Sequence, residues 1–131
     1  YLNLIEKIND VAGMRIVCTL KDDIFFIRDL IKQMPDIHIL KEKDYVTNPK
    51  PSGYSSYHMV VEVPVRLTQK TIYVKCEIQI RTLAMDFWAS FEHKVKYKTE
   101  HNVSKKTSKE LVSCAKMISK FDDKMISLKN I

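Results

Sequence analysis

A strict alternation of apolar and polar side chains runs through residues 71–81, TIYVKCEIQIR in one-letter code. Successive side chains of a β-strand point to opposite faces of a sheet, so this segment has one apolar and one polar face. The two rows are Ile72, Val74, Cys76, Ile78 and Ile80 against Tyr73, Lys75, Glu77, Gln79 and Arg81. The pattern therefore predicts a strand with one face in a hydrophobic core. Its polar face is either the solvated side of an antiparallel sheet or the floor of a substrate site.

Similar patterns elsewhere predict three more strands and three helices. Apolar, β-branched or alternating runs predict strands at residues 14–19, 37–40 and 57–65. Apolar residues at helical spacing predict helices over residues 24–34, from Thr82 to about residue 98, and from about residue 104 to 128. Thr82 is the expected cap of the second helix, and Asp22 or Asp23 that of the first. The order β-α-β-β-β-α-α predicts an α+β fold, a mixed sheet flanked by helices.

The balance of charge favours an anionic partner. The chain of 131 residues, the usual size of one domain, has 22 Lys and Arg against 16 Asp and Glu, a net charge of +6. Residues 92–131 contain ten lysines and five acidic residues, which suits nucleotides or RNA, or solubility alone. Three widely spaced cysteines predict neither a zinc site nor a disulfide framework and fit a reducing cytoplasm. No apolar run is long enough to span a membrane.

Five residues carry side chains suited to nucleotide chemistry. His58 opens an alternating strand and forms a polar cluster with Glu77 if the two share a face of the sheet. In the loop before this strand, Lys50 offers a cation to phosphate and Tyr54 offers a ring to a base. A surface histidine and an ordinary hairpin loop are the structural alternatives. Asp10, which precedes a strand, could bind Mg2+ together with Glu77 or simply form a turn.

Four segments in one order resemble the synthetase domain of the RelA/SpoT-homology alarmone synthetases, with the small single-domain members most similar. They are residues 10–16 (DVAGMRI), 43–58 (KDYVTNPKPSGYSSYH), 77–82 (EIQIRT) and 84–98 (AMDFWASFEHKVKYK). The motifs place the catalytic core in residues 1–98 and leave an amphipathic helix at 104–128. The resemblance implies a nucleotidyltransferase-like fold. It also implies Mg2+-dependent transfer of the β,γ-pyrophosphoryl group of ATP to the ribose 3′-hydroxyl of GDP or GTP, giving AMP and (p)ppGpp.

The resemblance also implies roles for ten residues. Asp10 and Glu77 match the family's metal-binding aspartate and catalytic glutamate, and Glu77 is the expected general base for the 3′-hydroxyl. Tyr54 matches the tyrosine that stacks on the guanine of the acceptor. The other implied acceptor contacts are Lys50 and His58 near phosphates and ribose, Gln79 and Arg81 on the polar face, Asp86 at the guanine edge, and Arg15 and Lys43 at phosphates.

One part of the family's site is expected to be missing from this chain. The ATP-binding segment, rich in Arg, Lys and Ser, lies upstream of the motif that begins at Asp10, and the nine residues before Asp10 do not match it. We therefore expect residues 1–131 alone to bind ATP poorly and to make little or no (p)ppGpp. Ser55 also stands where many family members have Arg or another long polar residue, so no extra cation over the acceptor is expected.

Two other interpretations stay open. The chain could be a non-catalytic module that binds guanine nucleotides or single-stranded RNA. The final helix could cover the core or a neighbouring subunit of a homo-oligomer with its apolar stripe, which comprises Ala115, Ile118, Phe121, Met125 and Leu128. The preceding helix is expected to be anchored in the core by Met85, Phe87 and Trp88.

Overall fold

The computed structural model describes residues 12–130. Its strands are β1 (Ala12–Cys18), β2 (His38–Asp44), β3 (Tyr57–Arg66) and β4 (Thr71–Thr82). Its helices are α1 (Lys21–Lys32), α2 (Leu83–Lys98) and α3 (Lys105–Lys129). The predicted element order and the α+β class are confirmed. Asp10 lies outside the described residues. Within residues 12–130, no helix combines the length and the apolar character needed to cross a membrane.

The four strands form one mixed sheet in the order β1-β4-β3-β2. β1 runs parallel to β4, whereas β3 is antiparallel to both β4 and β2. The register places Tyr57 opposite Ile80 and Met59 opposite Ile78, and these four side chains are buried. α1 covers this apolar face with Ile24, which is fully buried. The apolar side chains of β4 thus face the predicted side of the sheet, and Cys76, Ile78 and Ile80 lie in the core.

α1 begins earlier than the sequence predicted, at Lys21 instead of Ile24, and neither aspartate occupies the cap position. Leu20 is the N-cap residue. Asp23 lies in the first turn and accepts a hydrogen bond from the Leu20 backbone N–H at 3.2 Å, where its negative charge also complements the helix dipole. Asp22 accepts a hydrogen bond from Lys129 at 3.0 Å. The predicted cap was wrong because acidic residues also stabilise the first turn from inside it.

β4 passes directly into α2 at Thr82, without an intervening loop. The Thr82 hydroxyl oxygen accepts a hydrogen bond from the Met85 backbone N–H at 3.1 Å, which confirms the predicted cap. The same hydroxyl donates to Asp122 of α3 at 2.7 Å, and both residues are almost completely buried. Burial raises the pKa of Asp122, an effect that the Thr82 hydrogen bond and the Lys21 charge oppose. The end of β4 and the start of α2 therefore form one continuous segment, which the buried hydrogen bond from Thr82 to Asp122 joins to α3.

The core-anchor prediction for α2 holds for two residues and fails for the third. Met85 and Trp88 are each 4% exposed, but Phe87 is 70% exposed. At 3.6 residues per turn, residues 85 and 88 share a face of a helix and residue 87 does not. In α3, Ala115, Ile118 and Met125 are partly buried as predicted, whereas Phe121 and Leu128 are more than half exposed.

Candidate active site on the polar face of the sheet

Strand pairing assembles a row of polar residues across the whole sheet. Arg15 of β1 lies opposite Gln79 of β4, and Gln79 lies opposite His58 of β3. His58 in turn pairs with Lys43 of β2. Glu77, two residues before Gln79 on the same strand, lies on the same face of the sheet. The polar face therefore gathers residues from segments that are far apart in the sequence, and His58 and Glu77 do share a face.

Five side chains on this face form a closed ring of polar contacts. Glu77 accepts a hydrogen bond from the Gln79 amide at 3.0 Å. The Gln79 amide oxygen accepts a hydrogen bond from Arg81, and Arg81 donates also to the Tyr54 hydroxyl at 3.0 Å. Tyr54 Oη and His58 Nε2 are 2.8 Å apart, and His58 Nδ1 lies 3.8 Å from Glu77 Oε1. The ring fixes Glu77 relative to Tyr54.

Arg81 is the buried member of this ring. Its position on the polar face of a strand did not predict this burial. The residue is 4% exposed. Its guanidinium lies 3.4 Å from Asp86, a carboxylate that also pairs with Arg15 at 3.3 Å. A buried charge requires such a partner because its desolvation is costly. Asp86 lies in the first turn of α2, where the helix dipole stabilises its negative charge.

The environment of His58 keeps its imidazole neutral at neutral pH. Burial lowers the pKa of His58, and the nearby charges of Lys50 and Arg81 lower it as well, against the opposing effect of Glu77. A neutral imidazole has one donor and one acceptor nitrogen. Because Arg81 donates to the Tyr54 oxygen, the Tyr54 hydroxyl can donate to Nε2. In this arrangement the proton of His58 is on Nδ1, facing Glu77.

The loop at residues 45–56 brings a lysine and two tyrosines to the edge of the face. Lys50 Nζ lies 4.9 Å from the ring centroid of Tyr45 and 5.4 Å from that of Tyr54. Arg81 lies 5.5 Å from the centroid of Tyr54. Tyr45 also packs edge-on against His58 at a centroid distance of 5.3 Å. Cations near aromatic rings are attracted to their π electrons, so these contacts order Lys50 without neutralising it.

Two clefts adjoin the ring. A cleft of about 250 Å3 is lined by Lys41, Lys43, Tyr45, Lys50, His58, Val60 and Glu77. A larger cleft of about 580 Å3 lies on the other side, between the sheet and α2. It is lined by Arg15, Tyr54, Gln79, Arg81, Ala89, Ser90, Glu92, His93, Lys94 and Lys96. The smaller cleft thus has three lysines and Tyr45 in its lining, and the larger one combines the Tyr54 ring with two arginines, two lysines and other polar groups.

The structure brings nine of the ten predicted site residues together, and the tenth, Asp10, lies outside the described part of the chain. Glu77, Gln79, Arg81, Tyr54 and His58 form the ring, with Lys43 and Lys50 beside the smaller cleft and Arg15 and Asp86 beside the larger one. Within residues 12–130, no group of three or more acidic, His or Cys side chains could enclose a metal ion. The individual roles of these residues stay predictions.

Sequence reasoning missed Tyr45 and Lys41, which line the smaller cleft. Tyr45 belongs to the motif at residues 43–58, and an aromatic residue beside Lys43 was an available signal. Lys41 lies two residues from Lys43 on β2, so both point to one face. The spacing could not indicate a shared face because the strand was predicted to end at residue 40, whereas β2 continues to Asp44.

A four-stranded mixed sheet that carries a carboxylate, an amide and a guanidinium on one strand, beside a cleft lined by three lysines, defines an α+β domain with a candidate site for an anionic ligand. Residues 3–102 match the family model described as the region found in RelA / SpoT proteins. The chain belongs to this family, and the resemblance seen in its motifs is confirmed.

Two curated relatives from Bacillus subtilis (strain 168) match nearly the whole chain. It is 48% identical to the GTP pyrophosphokinase YwaC over 95% of this chain and 59% of the relative. It is 38% identical to the GTP pyrophosphokinase YjbM over 98% of this chain and 61% of the relative. The chain thus spans about 60% of the length of these relatives.

Solved structures from the same organism agree with the fold. Small alarmone synthetase 2 matches with a TM-score of 0.91 at 48% identity, over 95% of this chain and 68% of that one. Small alarmone synthetase 1 bound to its product pppGpp matches at 0.88 and 37% identity, over 99% and 67%. The same synthetase bound to AMPCPP matches at 0.77 and 32% identity, over 99% and 64%.

Proposed function

We propose that this chain carries the acceptor half of a GTP pyrophosphokinase site. In the proposed reaction, the ribose 3′-oxygen of GDP or GTP bonds to the β-phosphorus of ATP. The bond from that phosphorus to the oxygen bridging to the α-phosphate breaks, so that AMP leaves and ppGpp or pppGpp remains. The observation that carries the proposal is the closed ring that joins Glu77 to Tyr54 between two clefts. The pppGpp and AMPCPP complexes of small alarmone synthetase 1 support both nucleotide classes.

The two clefts suit the two ends of the acceptor. Lys41, Lys43 and Lys50 around the smaller cleft favour the 5′-phosphates. The larger cleft, which lies between Tyr54 and the middle and last turns of α2, suits the guanine. Lys50 lies over the Tyr54 ring, so stacking of the base requires Lys50 to move aside. Its flexible stem allows this movement, and the lysine would follow the phosphates into the smaller cleft.

Glu77 is the proposed base for the 3′-hydroxyl proton. Its carboxylate is held by the Gln79 amide and faces the neutral His58, and its side chain is 29% exposed. A base must lie within hydrogen-bond distance of the proton that it accepts, and a carboxylate fixed in this way can be approached from the cleft. Carboxylate oxygens are also the ligands that Mg2+ prefers. Glu77 and Asp10 are the residues proposed to hold Mg2+, which would neutralise phosphate charge when bound.

The experiment that tests this proposal compares two proteins by chromatography of their nucleotide products. The first is the 131-residue chain, and the second is the same chain preceded by the ATP-binding segment of the family. We expect the second to convert ATP and GDP into AMP and ppGpp and the first to do so weakly or not at all. Robust synthesis by the 131-residue chain would contradict the expected absence of the ATP segment. Lack of synthesis by a folded, ATP-binding extended protein would refute the enzymatic proposal.

The alternative, a non-catalytic module for guanine nucleotides or RNA, makes a different prediction. Such a module would bind single-stranded RNA with a steep dependence on salt concentration, because each phosphate contact releases counterions. It would make no (p)ppGpp at any chain length. The ring of polar contacts around Glu77 favours the enzyme, since an RNA-binding surface does not require a carboxylate held among hydrogen-bonding partners.

A further inference from the structure

The loop that carries Lys50 and Tyr54 lies directly against the C-terminal helix. Gly53 has a φ of +99°, a backbone conformation that other residues rarely adopt. A Cβ added at Gly53 would lie 2.7 Å from the Cβ of Ala115 in α3 and 3.1 Å from Trp88 in α2. No side chain fits in this space, so the loop backbone is seated on the two helices with no clearance.

α3 is itself held in place on both sides of Ala115. The Trp88 indole N–H donates to the Leu111 backbone oxygen at 2.9 Å. Asp122 accepts the buried hydrogen bond from Thr82 at 2.7 Å. Residues 111, 115 and 122 recur at helical spacing on one face. The position of Ala115 is therefore fixed on one side by the contact with α2 and on the other by the contact with the end of β4.

The place of Gly53 determines the places of Lys50 and Tyr54, because backbone hydrogen bonds join these three residues at the tip of the loop. The Lys50 N–H donates to the Tyr54 backbone oxygen at 3.0 Å, and the Gly53 N–H donates to the Lys50 oxygen at 2.8 Å. These two bonds join Lys50, Gly53 and Tyr54 into one tight turn. A shift of Gly53 away from α3 would therefore move Lys50 and Tyr54 together.

We propose that α3 is part of the acceptor site and that Ala115 is the positioning residue that sets the place of the loop. Neither the motifs nor the family match assigns α3 this role, since the matched region ends at residue 102. The inference rests on the proposed acceptor site. In this proposal α3 affects the acceptor through the loop. A substitution at Ala115 therefore changes acceptor affinity although Ala115 does not contact the nucleotide.

Ala115→Leu tests this inference in the 131-residue chain. Three added carbons compete with Gly53 for space, and overpacking of this kind displaces neighbouring groups. We expect the dissociation constant for GDP to rise about tenfold, equivalent to about 1.4 kcal/mol. Trp88 is the single tryptophan of the chain and is 4% exposed, so its fluorescence reports both GDP titration and quenching by acrylamide. Displacement of the loop should increase the quenching before GDP is added.

Met117→Gly is the matched control. Met117 is 65% exposed on the same helix, and glycine there weakens α3 by roughly 1 kcal/mol without approaching the loop. The control should lower the melting temperature and leave the GDP dissociation constant unchanged. Wild-type affinity in Ala115→Leu, or an equal loss of affinity in Met117→Gly, would overturn the inference. Failure of the wild-type chain to bind GDP would refute the acceptor site itself, and the inference with it.

A second route avoids dependence on one variant that could fail to fold. Gly53→Ala adds the methyl group from the loop side, and Ala115→Gly removes its partner from the helix side. If the two residues are in contact, the double variant should recover part of the GDP affinity that Gly53→Ala loses. Recovery will be incomplete because the positive φ still strains the alanine. Strictly additive losses in affinity would show that α3 does not position the loop.

Discussion

Replacement of Arg81 should disturb the site more than any other single change in the ring, because its guanidinium is buried and has three partners. It donates to Gln79 and Tyr54 and pairs with Asp86 at 3.4 Å. Arg81→Met keeps the length and the apolar stem but removes the charge. Breaking a buried ion pair from one side costs roughly 3–5 kcal/mol. Asp86 is 28% exposed and keeps Arg15 as a partner, so we expect the lower end, about 3 kcal/mol.

The measurement is urea unfolding followed by circular dichroism, with a thermal melt as a check. At roughly 3–4 °C for each kcal/mol in a chain of this size, the melting temperature should fall by about 10 °C. Arg81→Lys should lose about 1–2 kcal/mol, because one ammonium group cannot reproduce the planar fork that meets three partners. Arg66→Met is the control. Arg66 is exposed, and its replacement should change stability by less than about 0.5 kcal/mol.

The same experiment tests whether the ring acts as a unit. Tyr54→Phe removes the hydroxyl that accepts from Arg81 and contacts His58. Combined with Arg81→Met, it should show a coupling energy of at least about 0.5 kcal/mol, since the second change removes an interaction that the first already abolished. Additive effects would refute the ring. A loss below about 1 kcal/mol in Arg81→Met would refute the claim that buried contacts hold the guanidinium.

Three further predictions follow from the site and its supports. Glu77→Gln in the extended protein should abolish (p)ppGpp synthesis while GDP affinity, measured by titration, stays within about threefold, because the amide keeps the size but cannot accept the proton. The pKa of Asp122 is raised by burial above the usual aspartate value of 3.8, so this residue contributes stability as pH falls through the raised pKa toward the usual value. Melting curves of Asp122→Asn should lack that contribution. Phe121→Lys should lower the mass measured by light scattering if α3 mediates a homo-oligomer, and leave it unchanged if the exposed Phe121 faces solvent.

The arrangement of the sheet could be predicted because the signal for a strand is local. The alternation of β4 assigned its apolar row correctly, and Cys76, Ile78 and Ile80 are buried as expected. A period of two fixes the face of each side chain without knowledge of its neighbours. The shared face of His58 and Glu77 needed only the antiparallel pairing of consecutive strands. The period of two therefore predicted which side chains form the polar face of the sheet at the site.

The burial of Arg81 could not be predicted in the same way, since it depends on segments that converge only in the folded chain. Tyr54 approaches from a loop, and Asp86 from the first turn of α2. Phe87 shows the opposite error, because an apolar residue beside two core anchors was taken for a third. The burial of Arg81 depends on which elements cover its face of the sheet, whereas the helical period alone separates Phe87 from Met85 and Trp88.

The division of the site between a rigid and a movable part suggests where acceptor selectivity arises. Glu77, Gln79, Arg81 and Asp86 lie on β4 and α2, which form one continuous unit through the buried cap at Thr82. Lys50 and the tyrosines instead lie on a loop whose place depends on its contacts with the helices. The proposed base, Glu77, is thus held on the sheet, whereas Lys50 and Tyr54, two of the proposed acceptor contacts, are held on the loop. Substitution of Ala115 in α3 should therefore alter acceptor affinity, while the hydrogen bond between Gln79 and Glu77 within β4 is retained.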